Sequence, residues 1–248
     1  KQPKITVVRL GPGRFGLITL ESWQVMQQAE RLVLRTRIHP TVADIEKRGL
    51  TFSSYDGFYE EAPDFETLYH HIAEDLLHRA AEQGDLVYAV PGSPLVAERT
   101  VVLLRELAKE SGVTVDILPG MSFVEVMYTR LGLDPIAGLT ILDAEDVGTL
   151  KERPAQSLII TQVYDPIIAS DTKLMLMDLY PDEYEVTYIH NLALPDESIR
   201  KIPLYELDRQ KDVDHLTSLF VPAGEQALSF AVIFPKTLDF SRVFLFLV

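Results

Sequence analysis

The side chains best placed to move a proton in this chain are few, and they lie in neighbouring loop positions: His39, Asp56, Tyr59 and Glu60. Any of them could act as a general base toward an acceptor held beside it. Each also has a structural use, since His39 precedes Pro40 at a helix start, where it can cap, and Tyr59 can pack half-buried. These groups alone assign no catalytic residue. Thiol nucleophiles, disulfides and thiolate metal sites are excluded because there is no cysteine. The six histidines form no metal motif. His70 and His71 are adjacent on a helical pattern, where neighbours point about 100° apart, so no metal is expected.

Backbone is the stronger signal of a ligand site. Leu86 to Val90 is an apolar strand that runs into Pro91-Gly92-Ser93-Pro94, followed directly by a helical pattern. Two prolines fix φ on either side of a glycine, which makes a stiff, bare bend able to lie against a small molecule. Similar corners follow two other strand candidates, at Gly11-Pro12-Gly13 and at Pro119-Gly120-Met121-Ser122. In an open parallel sheet such corners share the carboxyl edge, where ligands bind, so all three point to one cleft.

Gly11-Pro12-Gly13-Arg14-Phe15-Gly16 is also a literal G-x-G-x-x-G, which raises a dinucleotide site. That reading expects an acidic residue after the second strand, yet this strand ends at Arg35-Thr36-Arg37. Pro12 further removes an N–H where a pyrophosphate needs donors. A tight turn packing strand on helix remains the plain structural alternative.

The elements that must position these corners alternate along the first half. Strands are expected at Ile5 to Leu10, Arg31 to Arg35, Leu86 to Val90 and Val113 to Leu118. Helices are expected at Leu17 to Leu32, Thr41 to Arg48, Asp64 to Gln83, Val96 to Lys109 and Phe123 to Leu131. Charge, Pro154 and lost periodicity near Lys151 to Ala155 suggest a boundary. The expected fold is α/β in two domains: residues 1–150 with a parallel sheet and corner loops, and a smaller mixed α/β domain over 156–224. The second has strands at 157–163, 185–190 and 217–221, a helix at about 166–179, and a polar stretch from Pro195 to Lys201. Residues 225–248 read as a linker or altered tail ending in an apolar run.

Composition sets the outer bounds. The 248 residues are 47% hydrophobic and 24% charged, as in an ordinary globular chain. The 23 basic and 37 acidic residues give −14, which repels phosphate backbones and anionic membranes and argues against nucleic-acid and membrane partners. Neither a signal-peptide pattern nor a transmembrane span is legible, so a cytoplasmic location is expected.

Taken together, Leu10-Gly11-Pro12-Gly13, Pro91-Gly92-Ser93-Pro94-Leu95-Val96-Ala97 and Leu118-Pro119-Gly120-Met121-Ser122 resemble the tetrapyrrole (corrin/porphyrin) methylase family over about residues 4–224. More closely, Arg35-Thr36-x-x-His39-Pro40, Asp56-x-x-Tyr59-Glu60, Tyr88 to Gly92, Ser122-Phe123 and Gln162-Val163-Tyr164 look like the methylase-like domain that precedes a MazG-type nucleoside triphosphate pyrophosphohydrolase. No Glu-x-x-Glu helices follow residue 224, so pyrophosphohydrolase activity is not expected of this chain.

The resemblance implies two α/β domains, a homodimer, and S-adenosylmethionine (SAM) folded in a cleft between the domains. Matched motif by motif, it implies cofactor contacts from Leu10 at the first corner and from Gly92, Ser93 and Val96 at the second. Gly120, Met121, Ser122 and Phe123 would form the third, with Gln162, Val163, Leu192, Ala193 and Leu194 near the adenine. Ser93 stands where such methylases commonly carry Asp, and a hydroxyl offers no carboxylate to the cofactor's ammonium. The implied activity is SAM-dependent methyl transfer to an unidentified small-molecule acceptor, the alternative being a SAM-binding regulatory module beside a pyrophosphohydrolase. A tetrapyrrole acceptor carries many carboxylates, and Arg14, Arg35, Arg37, Arg99 and Arg130 are the cations that could converge on it.

Overall fold

A computed structural model describes residues 2–91 and 99–224 and divides them into two compact units. The first comprises residues up to Leu133 together with Leu192–Asp196. Its sheet is wholly parallel, in the order β3-β2-β4-β1-β5, from β1 (Lys4–Arg9), β2 (Leu32–Leu34), β3 (Ser53–Ser54), β4 (Leu86–Val90) and β5 (Thr114–Ile117). Every residue of β4 is buried, as a central strand covered on both faces requires. Ile5 and Val7 of β1 enter one apolar cluster, with Leu68, Ile72 and Leu76. Val8 enters another, with Met26, Leu34 and Ile45, so successive β1 side chains serve opposite faces.

The helices stop where their end residues dictate. In α4 (Phe65–Gln83) the Asp64 carboxylate accepts from the Thr67 amide at 2.7 Å, and Gly84 ends the helix at φ +92°. α6 (Phe123–Leu131) opens on a capping box between Ser122 and Glu125. The helix expected over Leu17 to Leu32 is shorter, α1 (Leu20–Gln28). Phe15–Leu17 form a 3-10 turn, and the Thr19 hydroxyl accepts from the Ser22 amide, which fixes the start at Leu20. Two short helices, α2 (Val42–Lys47) and α3 (Asp56–Glu61), follow β2 and β3, and α5 (Arg99–Ser111) precedes β5.

The second unit holds a mixed sheet in the order β6-β7-β10-β8-β9, from β6 (Leu139–Asp143), β7 (Ser157–Thr161), β8 (Glu185–His190), β9 (Ser198–Pro203) and β10 (Thr217–Val221). β6 and β7 run parallel and the other pairs antiparallel, with α7 (Pro166–Met177) packed at the sheet. The division falls after Leu133 rather than near residue 151, because β6 pairs with β7 and so belongs to the second unit. Residues 225–248, read from sequence as a tail, lie outside the described residues.

Candidate functional site

The carboxyl ends of β4, β1 and β5 lie side by side, from the middle of the first sheet to its edge, and in sequence each strand leads into one of the Gly/Pro corners. Crossovers on both sides of β1 make this the kind of position where open α/β sheets bind ligands. At the first corner Leu10 is fully buried and its amide donates to the Val90 carbonyl at 2.9 Å. Gly11 sits at φ +74°, and a side chain there would meet the Leu17 carbonyl oxygen at 3.0 Å. Gly13 is needed for a different reason: a Cβ would lie 3.1 Å from the Ala193 Cβ and 3.2 Å from Leu194 Cδ2. The chain at Leu192 to Leu194, which the resemblance put beside the cofactor, therefore packs directly on the first corner.

This corner lacks the geometry of a dinucleotide turn. Gly16 is exposed, with open space where a Cβ would stand, and the 3-10 turn separates the glycines from the start of α1. A 3-10 turn, and not the N-terminus of an α-helix, follows Gly13, so the turn does not present the donors a pyrophosphate needs.

Of the second corner, Gly92, Ser93 and Val96 lie outside the described residues. At the third, Ser122 is buried and Met121 is 37% exposed. The Ser122 hydroxyl accepts from the Val124 amide at 3.2 Å and donates to the Glu125 carboxylate, which also takes the Ser122 amide at 2.7 Å. The side chain of Ser122 is thus committed to α6.

Among the described residues, the non-glycine positions with positive φ are Gln162 at 60°, Asn191 at 52° and Ala193 at 68°. The left-handed region costs an alanine about 1 kcal/mol or more, and such strain gathers at functional loops. In the second unit Gln162 is exposed at the end of β7, followed by Val163, which is fully buried in that unit's core.

Two of the proton-bearing candidates, His39 and Asp56, are tied into the surrounding loops. The His39 Nδ1 accepts from the Thr41 amide at 3.3 Å and lies 2.7 Å from the Thr41 hydroxyl, which assigns the ring proton to Nε2. The ring also hydrogen-bonds the Gly11 backbone, tying the loop after β2 to the first corner. Burial pushes its pKa down to about 4, aided by the Arg35 charge and opposed by the Gly11 bond, so the ring is neutral and occupied. The ring does not cap α2 (Val42–Lys47), whose N-cap is Thr41 without a side-chain cap bond; it ties to Thr41 just ahead of the helix. Asp56 accepts from the Thr36 hydroxyl at 2.6 Å and the Arg37 amide at 2.9 Å. Burial opposes its charge, but bonds from Thr36, Ser54 and Arg37 hold the carboxyl below the usual range. Tyr59 and Glu60 lie in α3, with Tyr59 at the surface.

Two of the five candidate arginines have carboxylate partners. Arg37 pairs with Glu46 at 2.8 Å, and Arg99 pairs with Glu66 at 2.9 Å. One arginine that the sequence reading passed over is central: Arg9, the last residue of β1, is only 8% exposed, and its Nη1 donates to the Gly120 carbonyl at 2.6 Å. The signal was available, since a charged residue inside Thr6-Val7-Val8-Arg9-Leu10 breaks an otherwise apolar strand. Among the described residues, no cluster of three or more histidines or carboxylates could hold a metal, and no helix is long and apolar enough to cross a membrane.

The fold agrees with the comparisons. The model of the tetrapyrrole (corrin/porphyrin) methylases matches residues 4–208, and the chain belongs to that family. It is 40% identical over 219 residues to the uncharacterized protein YabN of Bacillus subtilis (strain 168), covering 88% of this chain and 45% of that one. The chain thus spans less than half the length of the curated relatives it matches. Among solved structures, it shares its fold with uroporphyrin-III-C-methyltransferase from Thermus thermophilus, at 18% identity and a TM-score of 0.69 over 96% of this chain and 99% of that one. A structure of the Thermus thermophilus enzyme complexed with S-adenyl homocysteine matches at 16% identity and a TM-score of 0.64, covering 92% and 94%.

Proposed function

We propose that this protein is a SAM-dependent methyltransferase acting on a small-molecule acceptor. The observation that carries the reading is the first corner: buried backbone from Leu10 to Gly13 at the carboxyl edge, braced by the strained Ala193, in a chain of the tetrapyrrole methylase family. A relative of the same fold complexed with S-adenyl homocysteine supports the choice of cofactor.

The chemistry asks little of side chains. The sulfonium of SAM is already activated, so transfer needs the acceptor aligned about 3 Å from the methyl carbon and water kept out. Bare glycine corners and a neutral, occupied His39 suit that task, because they shape and dry a site without supplying a base. The acceptor should then be nucleophilic without help from His39 or Asp56. The pairing of Arg37 with Glu46 and of Arg99 with Glu66, on a chain of net charge −14, favours an acceptor with few carboxylates.

Calorimetric titration with SAM and S-adenosylhomocysteine tests the reading. Both should bind at micromolar levels, and Gly13→Val, which drives a side chain into Ala193, should weaken them at least about tenfold, the equivalent of ~1.4 kcal/mol. Absence of binding to wild type, or binding of NADPH in its place, overturns the assignment. Binding with no turnover against any acceptor would leave a SAM-binding module and refute the transferase.

A further inference from the structure

Arg9 occupies a place where charge is costly. It is buried at the end of a strand whose other residues on that face, Ile5 and Val7, are core. A guanidinium stays charged even there, and an unpaired one would be strongly destabilising. Burial pushes its pKa down while the nearby Glu125 carboxylate opposes the shift. Its Nε finds no hydrogen-bond partner among the described residues, so its burial is not explained by full satisfaction of its donors.

What the side chain does is extend a ladder. Backbone pairing of β1 with β5 ends where the Leu118 amide donates to the Val7 carbonyl at 3.0 Å. Beyond that point β5 has ended, and Arg9 Nη1 donates to a carbonyl two residues on, that of Gly120, at 2.6 Å. The aliphatic stem of Arg9 lies against the Gly120 Cα: a Cβ there would come within 2.9 Å of Arg9 Cγ and closer still to Cδ. Gly120 needs no positive φ, so its lack of a side chain is a demand of Arg9 and not of the turn. On the far side, Glu125 holds Ser122 by its amide and hydroxyl. The corner is gripped at both ends.

We propose that Arg9 is a positioning residue that pins the third corner, fixing the backbone from Gly120 to Phe123 in the form that receives the ligand. This rests on the cofactor reading above for the identity of the ligand, but the pinning itself is measurable without it. The first readout is amide hydrogen exchange in the full chain. Arg9→Met, which keeps the stem and removes the donors, should speed exchange at Ser122, Phe123 and Val124 by about tenfold or more, as loss of a charge-assisted bond implies. Arg9→Lys should restore part of the protection, and Val7→Ala, a core lesion in the same strand, should not reproduce the local effect.

The second readout is the affinity for S-adenosylhomocysteine, which Arg9→Met should weaken and Val7→Ala should leave near wild type at equal folded fraction. A Gly120→Ala change should cost less in an Arg9→Ala background than in wild type, because the two side chains compete for one space. Unchanged exchange at the corner in Arg9→Met, or additive behaviour of the pair, overturns the pinning. Faster exchange at the corner with no S-adenosylhomocysteine binding by wild type would keep the pinning and overturn the cofactor reading instead.

Discussion

Acid should loosen the first unit through His39, and the size of the effect can be worked from the structure. Folded, the ring is held neutral down to about pH 4, where an ordinary histidine titrates near 6.5. The unfolded chain therefore takes a proton that the folded chain refuses. Stability from this source is complete above pH 6.5 and is lost as pH falls toward 4. At ~1.36 kcal/mol per pKa unit, the full loss is about 3 kcal/mol and the loss by pH 5 is about 2 kcal/mol. His39→Gln does not titrate and can keep a donor for Gly11, so it isolates the effect from other histidines and carboxylates. Urea unfolding followed by Trp23, the single tryptophan, packed edge-on against Phe15 at 5.0 Å in the first unit, is the assay. Wild type should lose about 2 kcal/mol more than His39→Gln between pH 7 and pH 5. Parallel curves for the two proteins would refute the description of His39 as a buried, neutral tie.

Other consequences are smaller and equally direct. Ser122→Ala removes the capping box of α6 and should cost about 1 kcal/mol in chemical unfolding, while the amide at position 122 keeps its bond to Glu125. Gln162→Gly and Ala193→Gly relieve positive-φ backbone and should be neutral or stabilise by up to about 1 kcal/mol. Gln162→Val should destabilise, since a β-branched residue fits that region poorly, and thermal unfolding distinguishes the three. A melting temperature that falls for both glycine variants would show that the strained conformations are held for no backbone reason.

Local patterning made the centre of each sheet legible. β4 appears where a continuous apolar run stood, β8 where a strand was expected at 185–190, and α4 and α6 occupy the ranges expected of them. β6 and β9 escaped because they are edge strands: none of β6 is fully buried, and β9 carries Arg200 and Lys201. A strand that need not face a core on both sides leaves little hydrophobic trace. The site shows the same split. Glycine and proline punctuation announced the corners, since turn chemistry is local. What holds those corners was hidden: Arg9 reaches Gly120 across 111 positions, and His39 reaches back to Gly11. Likewise, residue counting could not show that Arg37 pairs with Glu46 and Arg99 with Glu66.

The central claim is that the glycine corners of the first unit receive SAM. Backbone amide chemical shifts of the isotopically labelled chain, followed while S-adenosylhomocysteine is added, test it most directly. The largest changes should fall at Leu10, Gly11 and Gly13, at Gly120 to Phe123, and at Leu192 to Leu194, saturating at micromolar ligand. Shifts confined to other surfaces, or no shifts at all, would contradict the account.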